Sequence, residues 1–218
     1  MTGPVAAELS LQVQRRLETL YALEAQAPVT DFLVAEEDAA ALPGGGSRTL
    51  VHHEGDDVSL AVVLEDDVRA HLAERDPRVQ LDGTNLGPFC TLAEEVSHFV
   101  YLQFCARAER SVTQLELELQ GEVDKYLTTA FLLSEQNDGA VSTRLRALLF
   151  QHYRLGPGLS PEQAERYRAA SALAYRYCGW LEQRFLRRRA GVPELARESR
   201  RFYRLGQREK LERIAQLQ

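Results

Sequence analysis

The stretch Thr91–Arg107, TLAEEVSHFVYLQFCAR, decides the fold, because it predicts a helix that is apolar over most of its circumference. At about 100° per residue, its large apolar side chains occupy one broad arc, while Glu94 and His98 lie on a second stripe. A helix of this kind is usually buried on several sides, so we expect it at the centre of a helical bundle. Its polar side chains then need protein partners, because an unpaired buried charge costs several kcal/mol.

Start and stop signals around this stretch predict further helices. Thr91 and Glu94 have the spacing of a capping box, which predicts that the central helix begins at Thr91. The same kind of signature predicts a helix over residues 111–134, and a third helix follows over roughly residues 141–154. The clearest start signal, a serine cap followed by proline, predicts a helix over residues 160–189.

Ahead of the bundle the periodicity changes. Leucine and valine at helical spacing predict an amphipathic helix over residues 5–26. Between residues 31 and 64, alternating apolar side chains and glycine-rich turns predict three short strands in a small antiparallel sheet. We therefore expect an α+β fold that is mainly α. Its regions would be residues 1–88 (helix and sheet), 89–189 (a helical bundle packed on them as one compact unit) and 190–218 (a basic helical tail).

The composition excludes several classes of protein. Of the 218 residues, 44% are hydrophobic, which is too apolar for a disordered chain. No apolar run approaches the roughly 18 residues that cross a bilayer, and the N-terminus lacks the features of a secretory signal. The three cysteines are widely spaced, so we expect reduced thiols in or near the core and a cytoplasmic location. Phosphate-binding glycine loops and nucleophile-elbow motifs are absent.

Charge is distributed unevenly along the chain. The formal net charge is −6, but residues 184–213 carry +7 and the rest of the chain therefore carries −13. Arginines and aromatic residues are mixed in this basic region, a composition typical of contacts with acidic partners or nucleic acid. The candidate partner-binding residues are Arg187, Arg188, Arg189, Arg200, Arg201 and Arg204.

Three interpretations of the basic region stay open. It is a solvated or intramolecularly docked helix, a contact for an acidic protein or a second copy of the chain, or a contact for nucleic acid or a membrane surface. The acidic chain as a whole weighs against nucleic acid. The first functional hypothesis is therefore a non-enzymatic interaction or regulatory protein whose basic C-terminal helices contact an acidic protein surface or, less favoured, nucleic acid.

The second hypothesis is a metal-dependent hydrolase or oxidase. Glu95 and His98 form an E-x-x-H unit, which four-helix di-iron carboxylate proteins use in pairs, but this chain has no second unit. On the following helix, Glu116 falls within the apolar arc and Glu122 lies nearby. We hypothesise a divalent-metal site on the helices 91–107 and 111–134, with Glu95, His98, Glu116 and Glu122 as candidate ligands or catalytic groups. No other cofactor is predicted.

The structural alternative to this site is a network of polar side chains that only joins two core helices and has no catalytic or metal-binding role. Glu94 is set aside as a ligand, because the capping box already accounts for it. Asp124 and Lys125 are expected to face solvent.

Overall fold

The computed structural model describes residues 3–42, 44–54, 57–140, 142, 144–151, 159–187 and 191–217. In this part of the chain, eight α-helices and a three-stranded sheet form a mainly helical α+β fold, which confirms the predicted fold class. Among the same residues, no helix has the length and hydropathy needed to span a membrane.

The elements follow one another in the order α1 (Pro4–Tyr21), a 3-10 turn (Val29–Phe32), β1 (Leu33–Val34), β2 (Arg48–Glu54), β3 (Asp57–Val63), α2 (Asp66–Glu74), α3 (Leu86–Arg107), α4 (Gln114–Gln136), α5 (Leu145–Gln151), α6 (Pro161–Leu181), a π turn (Glu182–Leu186), α7 (Val192–Arg204) and α8 (Gln207–Ala215).

The sheet has the strand order β1-β3-β2 and is mixed, whereas the sequence predicts a purely antiparallel one. β2 and β3 form the expected antiparallel hairpin, but β1 runs parallel to β3, with Leu33 opposite Val62. The reason is the long connection from β1 to β2, which lets the chain reverse direction before the hairpin begins. One face of the sheet packs on α3, where Val62 joins the core cluster of α1 and α3.

Several helix boundaries differ from the prediction: α1 ends at Tyr21 and not at residue 26, and α4 begins at Gln114 and not at residue 111. α3 begins at Leu86, five residues before Thr91, because the Asp82–Asn85 turn already starts it. The prediction of a capping box at Thr91 is therefore wrong. α6 does begin with the predicted box, formed by Ser160 and Gln163, but it ends at Leu181, where the chain continues as a π turn.

α4 is the central helix, and all thirteen residues from Glu118 to Ala130 are buried. It packs between α3 and α6, and its apolar side chains join a second core cluster with α5 and α6. α7 and α8 contribute Tyr203 to the first cluster and Ile214 to the second. Within residues 191–217, the basic C-terminal region forms two helices, and part of it is docked on the body. The division of the chain at residues 88 and 189 stays a prediction.

Cys90, Cys105 and Cys178 are free and buried, which confirms that the three thiols are unpaired core residues. Burial raises the pKa of the Cys90 thiol to about 11, so it is poorly suited to act as a nucleophile.

Candidate metal centre

A group of polar residues, all buried except the half-buried Glu94, lies between α3 and α4. Its members are Glu94, Glu95 and His98 on α3 and Glu118, Glu122 and Lys125 on α4, and we call it the acidic–histidine cluster. Glu94 and His98 are one helical turn apart, as are Glu118 and Glu122, so each pair shares one face of its helix.

Gly121 allows the two helices to bring these side chains together. A Cβ atom at this position would lie 2.6 Å from Nε2 of His98 and 3.5 Å from Cγ of Glu94. The imidazole therefore occupies the space that any other residue at position 121 would fill. Glycine in a helix interior lowers helix stability by about 1 kcal/mol relative to alanine. At position 121, the missing Cβ atom leaves the space that the imidazole of His98 occupies.

Three side chains of the cluster have potential ligand atoms that lie close enough together to bind one metal ion. One ligand atom each from Glu94, His98 and Glu118 lies within 4.8 Å of the others. Nε2 of His98 faces Oε2 of Glu118 at 3.7 Å, and within the described residues neither atom has a hydrogen-bond partner. Two atoms that ligate one metal ion at about 2.1 Å and a tetrahedral angle are about 3.4 Å apart, close to the separation found.

Glu95 holds the other side of the imidazole. Its Oε2 lies 3.6 Å from Nδ1 of His98 and accepts a hydrogen bond of 2.8 Å from Oγ1 of Thr49 on β2. The threonine also donates to the Glu95 carbonyl oxygen at 3.0 Å. A carboxylate at Nδ1 is the usual means of orienting a metal-binding histidine, so Glu95 is placed to position His98 rather than to bind a cation itself.

Lys125 lies between two carboxylates at the far side of the cluster. Its Nζ is 2.8 Å from Oε2 of Glu94 and 2.9 Å from Oε2 of Glu122. Burial would lower the pKa of Lys125, but the charges of these two carboxylates outweigh burial and raise it. The lysine is therefore a fixed positive charge inside the cluster.

The environment also shifts the pKa values of the acids and of the histidine. Burial raises the pKa of Glu118 and of Glu122, the latter against the charge of Lys125. Burial would lower the pKa of His98, but its contact with Glu95 and the surrounding negative charge outweigh burial and raise it to about 9. The cluster therefore holds protons tightly, and a cation would compete with them.

Of the four residues that the sequence predicts for this site, Glu95, His98 and Glu122 lie in the cluster. Glu116 does not. It lies about 200° around α4 from Glu118, where it accepts hydrogen bonds of 2.5 Å from Tyr101 and 2.6 Å from Arg110.

The sequence-based prediction omits two residues that carry ligand atoms, Glu94 and Glu118. Because α3 begins at Leu86, Glu94 lies inside the helix, and its carboxylate binds Lys125 instead of capping a helix start. Glu118 precedes Glu122 by one turn on the same face, and this pair of acids on either side of Gly121 is the signal that could have identified it.

The expectation that Asp124 and Lys125 face solvent is wrong. Asp124 is fully buried and Lys125 is 9% exposed. α4 is covered on several sides by α3, α6 and α1, so it has no solvent-facing side at these positions.

A second polar group lies on the other side of α4, and we call it the Lys210 network. Its members are Tyr21, Ser97, Tyr101, Arg110, Glu116, Gln120, Asp124 and Lys210. Nζ of Lys210 donates to Gln120 at 2.7 Å and to Tyr101 at 2.9 Å. Asp124 accepts from Ser97 at 2.5 Å, from Gln120 at 2.8 Å and from Tyr21. None of these described side chains has a buried polar atom without a partner.

The arginines that the sequence predicts to bind a partner have several environments. Arg187 pairs with Glu182 at 2.7 Å. Arg200 donates to the carbonyl oxygen of Leu20 at 2.8 Å, and Arg204 donates to that of Arg200 at 2.9 Å, so both side chains have intramolecular contacts while remaining exposed. Arg201 is exposed on α7. Arg188 and Arg189 lie outside the described residues.

A cleft of about 440 Å³ lies between α1, α4 and α7. Leu20, Phe131 and the 57% exposed Val192 form its apolar part, and Arg15 and Arg200 are among its charged residues. The basic C-terminal region thus contributes one wall of a surface depression, with α1 as the opposite wall.

Comparisons of this chain with protein-family models, with curated proteins and with solved structures found no match.

Proposed function

We propose that the protein is a metal-dependent hydrolase that holds one divalent cation between Glu94, His98 and Glu118. The observation that carries this proposal is the pair of buried atoms, Nε2 of His98 and Oε2 of Glu118, that face each other at 3.7 Å without hydrogen-bond partners. With His98 protonated, the two groups attract each other as an ion pair but are too far apart for a hydrogen bond, and a shared cation would give both atoms a direct bond.

Charge supports a cation in particular. Four carboxylates face one imidazole and one ammonium group, and the charge of Arg166 on α6 also acts on Glu118, so the carboxylates still outnumber the positive groups. Buried carboxylates in proteins are normally paired with positive groups or metal ions. Oxygen and imidazole ligands suit zinc, manganese or iron, which are the metals we expect here.

The number of ligands favours catalysis over a purely structural role. Three protein ligands leave at least one coordination position for water, as in catalytic zinc sites, whereas structural sites use four. The side chain of Glu94 is 20% exposed, so solvent reaches the cluster from this side. A divalent ion lowers the pKa of its bound water and supplies hydroxide near neutral pH. Hydrolysis needs no electron donor, and for this reason we prefer a hydrolase to an oxidase.

Elemental analysis of protein purified without chelator tests this proposal. We expect about one divalent ion per chain in the wild type and loss of the ion in His98→Ala. The matched control is His71→Ala, which removes an exposed histidine on α2 and should leave the metal content unchanged. A folded His98→Ala variant with full metal content would contradict the proposal. Stoichiometric iron instead of zinc would move the assignment to an oxidase.

A second function rests on a different observation, the cleft of about 440 Å³ with arginines around an apolar floor. We propose that this cleft and the exposed arginines of α7 bind an acidic protein partner in the cytoplasm. Arg15 and Arg200 carry charge that is complementary to carboxylates, and the one acidic residue among the described residues of the cleft, Glu135, is paired with Arg16 at 2.9 Å. The proposal keeps the interaction role suggested by the basic C-terminal region and gives it a location.

Polyglutamate is a suitable probe for this second function. Binding should weaken with salt and should weaken several-fold in the double variant Arg15→Gln and Arg201→Gln. Arg168→Gln, an exposed arginine on α6, is the control and should bind as the wild type does. Equal binding by all three proteins would contradict the proposal, and preference for RNA over polyglutamate would support the nucleic-acid alternative.

A further inference from the structure

We propose that Lys125 takes the position of a second cation, so that the centre binds one divalent ion beside a fixed ammonium group and not a pair of metals. This inference rests on the proposed metal centre and concerns its stoichiometry and the role of the lysine. Its basis is the contact of one ammonium nitrogen with two carboxylates, the half-buried Glu94 at 2.8 Å and the buried Glu122 at 2.9 Å.

Glu94 is the residue that links the lysine to the metal ligands. It belongs to the group with His98 and Glu118 that can hold a metal ion, and its Oε2 also contacts Nζ of Lys125. In two-metal sites, carboxylates hold two cations about 3.5–4 Å apart. In the proposed centre, Glu94 would likewise bridge two positive charges, the metal ion and the ammonium group of Lys125.

Glu122 completes the second position. It is 5% exposed, and its contact with Lys125 is the only ion pair it has among the described residues. Without the lysine, the half-buried Glu94 and the buried Glu122 would be two neighbouring carboxylates with no positive group between them. Such a pair either holds a proton or binds a cation, because two like charges at short distance destabilise each other in the protein interior.

Substitution of Lys125 should therefore change how many ions the protein binds. Lys125→Met keeps the length and apolar stem of the side chain but removes its charge. We expect the wild type to bind one Mn²⁺ per chain by calorimetric titration and Lys125→Met to bind two. Electron paramagnetic resonance at full loading should show an isolated-ion signal in the wild type and loss of that signal by spin coupling in the variant.

Lys210→Met is the matched control, because it also removes a buried lysine but lies outside the acidic–histidine cluster. It should bind one Mn²⁺. A wild type that binds two ions, or a folded Lys125→Met that binds one, would overturn the inference while leaving the metal centre in place. A wild type that binds no Mn²⁺, Zn²⁺ or Fe²⁺ would instead contradict the proposed function itself.

If Lys125→Met does not fold, the variant Glu122→Gln tests the inference in its place. Under the inference, Glu122 binds the lysine and not the metal, so the variant should still take up one Mn²⁺ per chain. Loss of Mn²⁺ binding in folded Glu122→Gln would show that Glu122 is a metal ligand and would overturn the inference.

Discussion

The acidic–histidine cluster and the Lys210 network lie on two sides of the same helix, yet they differ in how completely their polar atoms are paired. In the Lys210 network, no described member has an orphaned buried atom. In the acidic–histidine cluster, Nε2 of His98 and Oε2 of Glu118 have no hydrogen-bond partner among the described residues and only face each other at 3.7 Å. Buried networks that only stabilise a fold are normally complete, so incomplete pairing is what separates the candidate site from the structural network.

The two buried lysines show the same difference. Lys125 contacts two carboxylates, and these raise its pKa against burial. Lys210 contacts the neutral oxygen atoms of Tyr101 and Gln120, and burial lowers its pKa to about 7 although Glu116 and Asp124 oppose the shift. A lysine between anions is a permanent charge, whereas a lysine among neutral acceptors is one that titrates.

The largest loss of stability should come from removing Asp124, which accepts three hydrogen bonds in the Lys210 network. Asp124→Ala leaves Tyr21, Ser97 and Gln120 without their acceptor in the interior, so we expect unfolding in urea to show a loss of about 3–5 kcal/mol. Asp38→Ala, at an exposed site, should change stability by less than about 0.5 kcal/mol. A loss below about 1 kcal/mol for Asp124→Ala would mean that the network contributes little to stability.

The titration of Lys210 offers a second test of the comparison. Its pKa is lower in the folded state than in the unfolded chain, so between pH 7 and 10 the unfolded chain binds more protons and stability rises with pH. The free energy of unfolding of the wild type, measured relative to that of Lys210→Met, should therefore rise by up to about 1.4 kcal/mol per pH unit over this range. The groups that face this lysine are Tyr101, Cys105, Arg110, Glu116 and Asp124.

Urea unfolding of both proteins at several pH values measures this difference, and it cancels the titration of cysteines and tyrosines elsewhere. A difference in stability that does not change with pH would mean that Lys210 keeps an ordinary pKa.

Gly121→Ala tests the acidic–histidine cluster directly and should have a medium effect on stability. The new Cβ would displace the imidazole of His98, so we expect metal binding to fall at least about tenfold and stability to fall by about 1–3 kcal/mol. Gly87→Ala on α3 is the control, because nothing lies within 4 Å of its Cβ position. There, alanine should stabilise the helix by up to about 1 kcal/mol. Unchanged metal affinity in Gly121→Ala would argue against His98 as a ligand.

Sequence patterns predict the elements of this fold better than they predict the site. The helix over Thr91–Arg107 and the serine cap at Ser160 are local signals, and both identify helices correctly. Asp124 and Lys125 are mispredicted because their burial depends on how α3, α6 and α1 surround α4, and the pattern of a single helix does not contain this arrangement. His98 and Glu95 lie side by side because their i, i+3 spacing fixes the distance between them, and their role in a functional site stays a prediction.

The smallest effects should come from one hydrogen bond in each cluster. Tyr21→Phe removes a donor to Asp124, which keeps Ser97 and Gln120, and Thr49→Val removes the donor to Glu95. Each should cost about 1 kcal/mol in urea unfolding. Only Thr49→Val should also weaken metal binding, by about tenfold, because Glu95 orients the imidazole and its own orientation depends on the threonine. Equal metal affinity in the two variants would mean that the hydrogen bond from Thr49 to Glu95 does not help to orient His98.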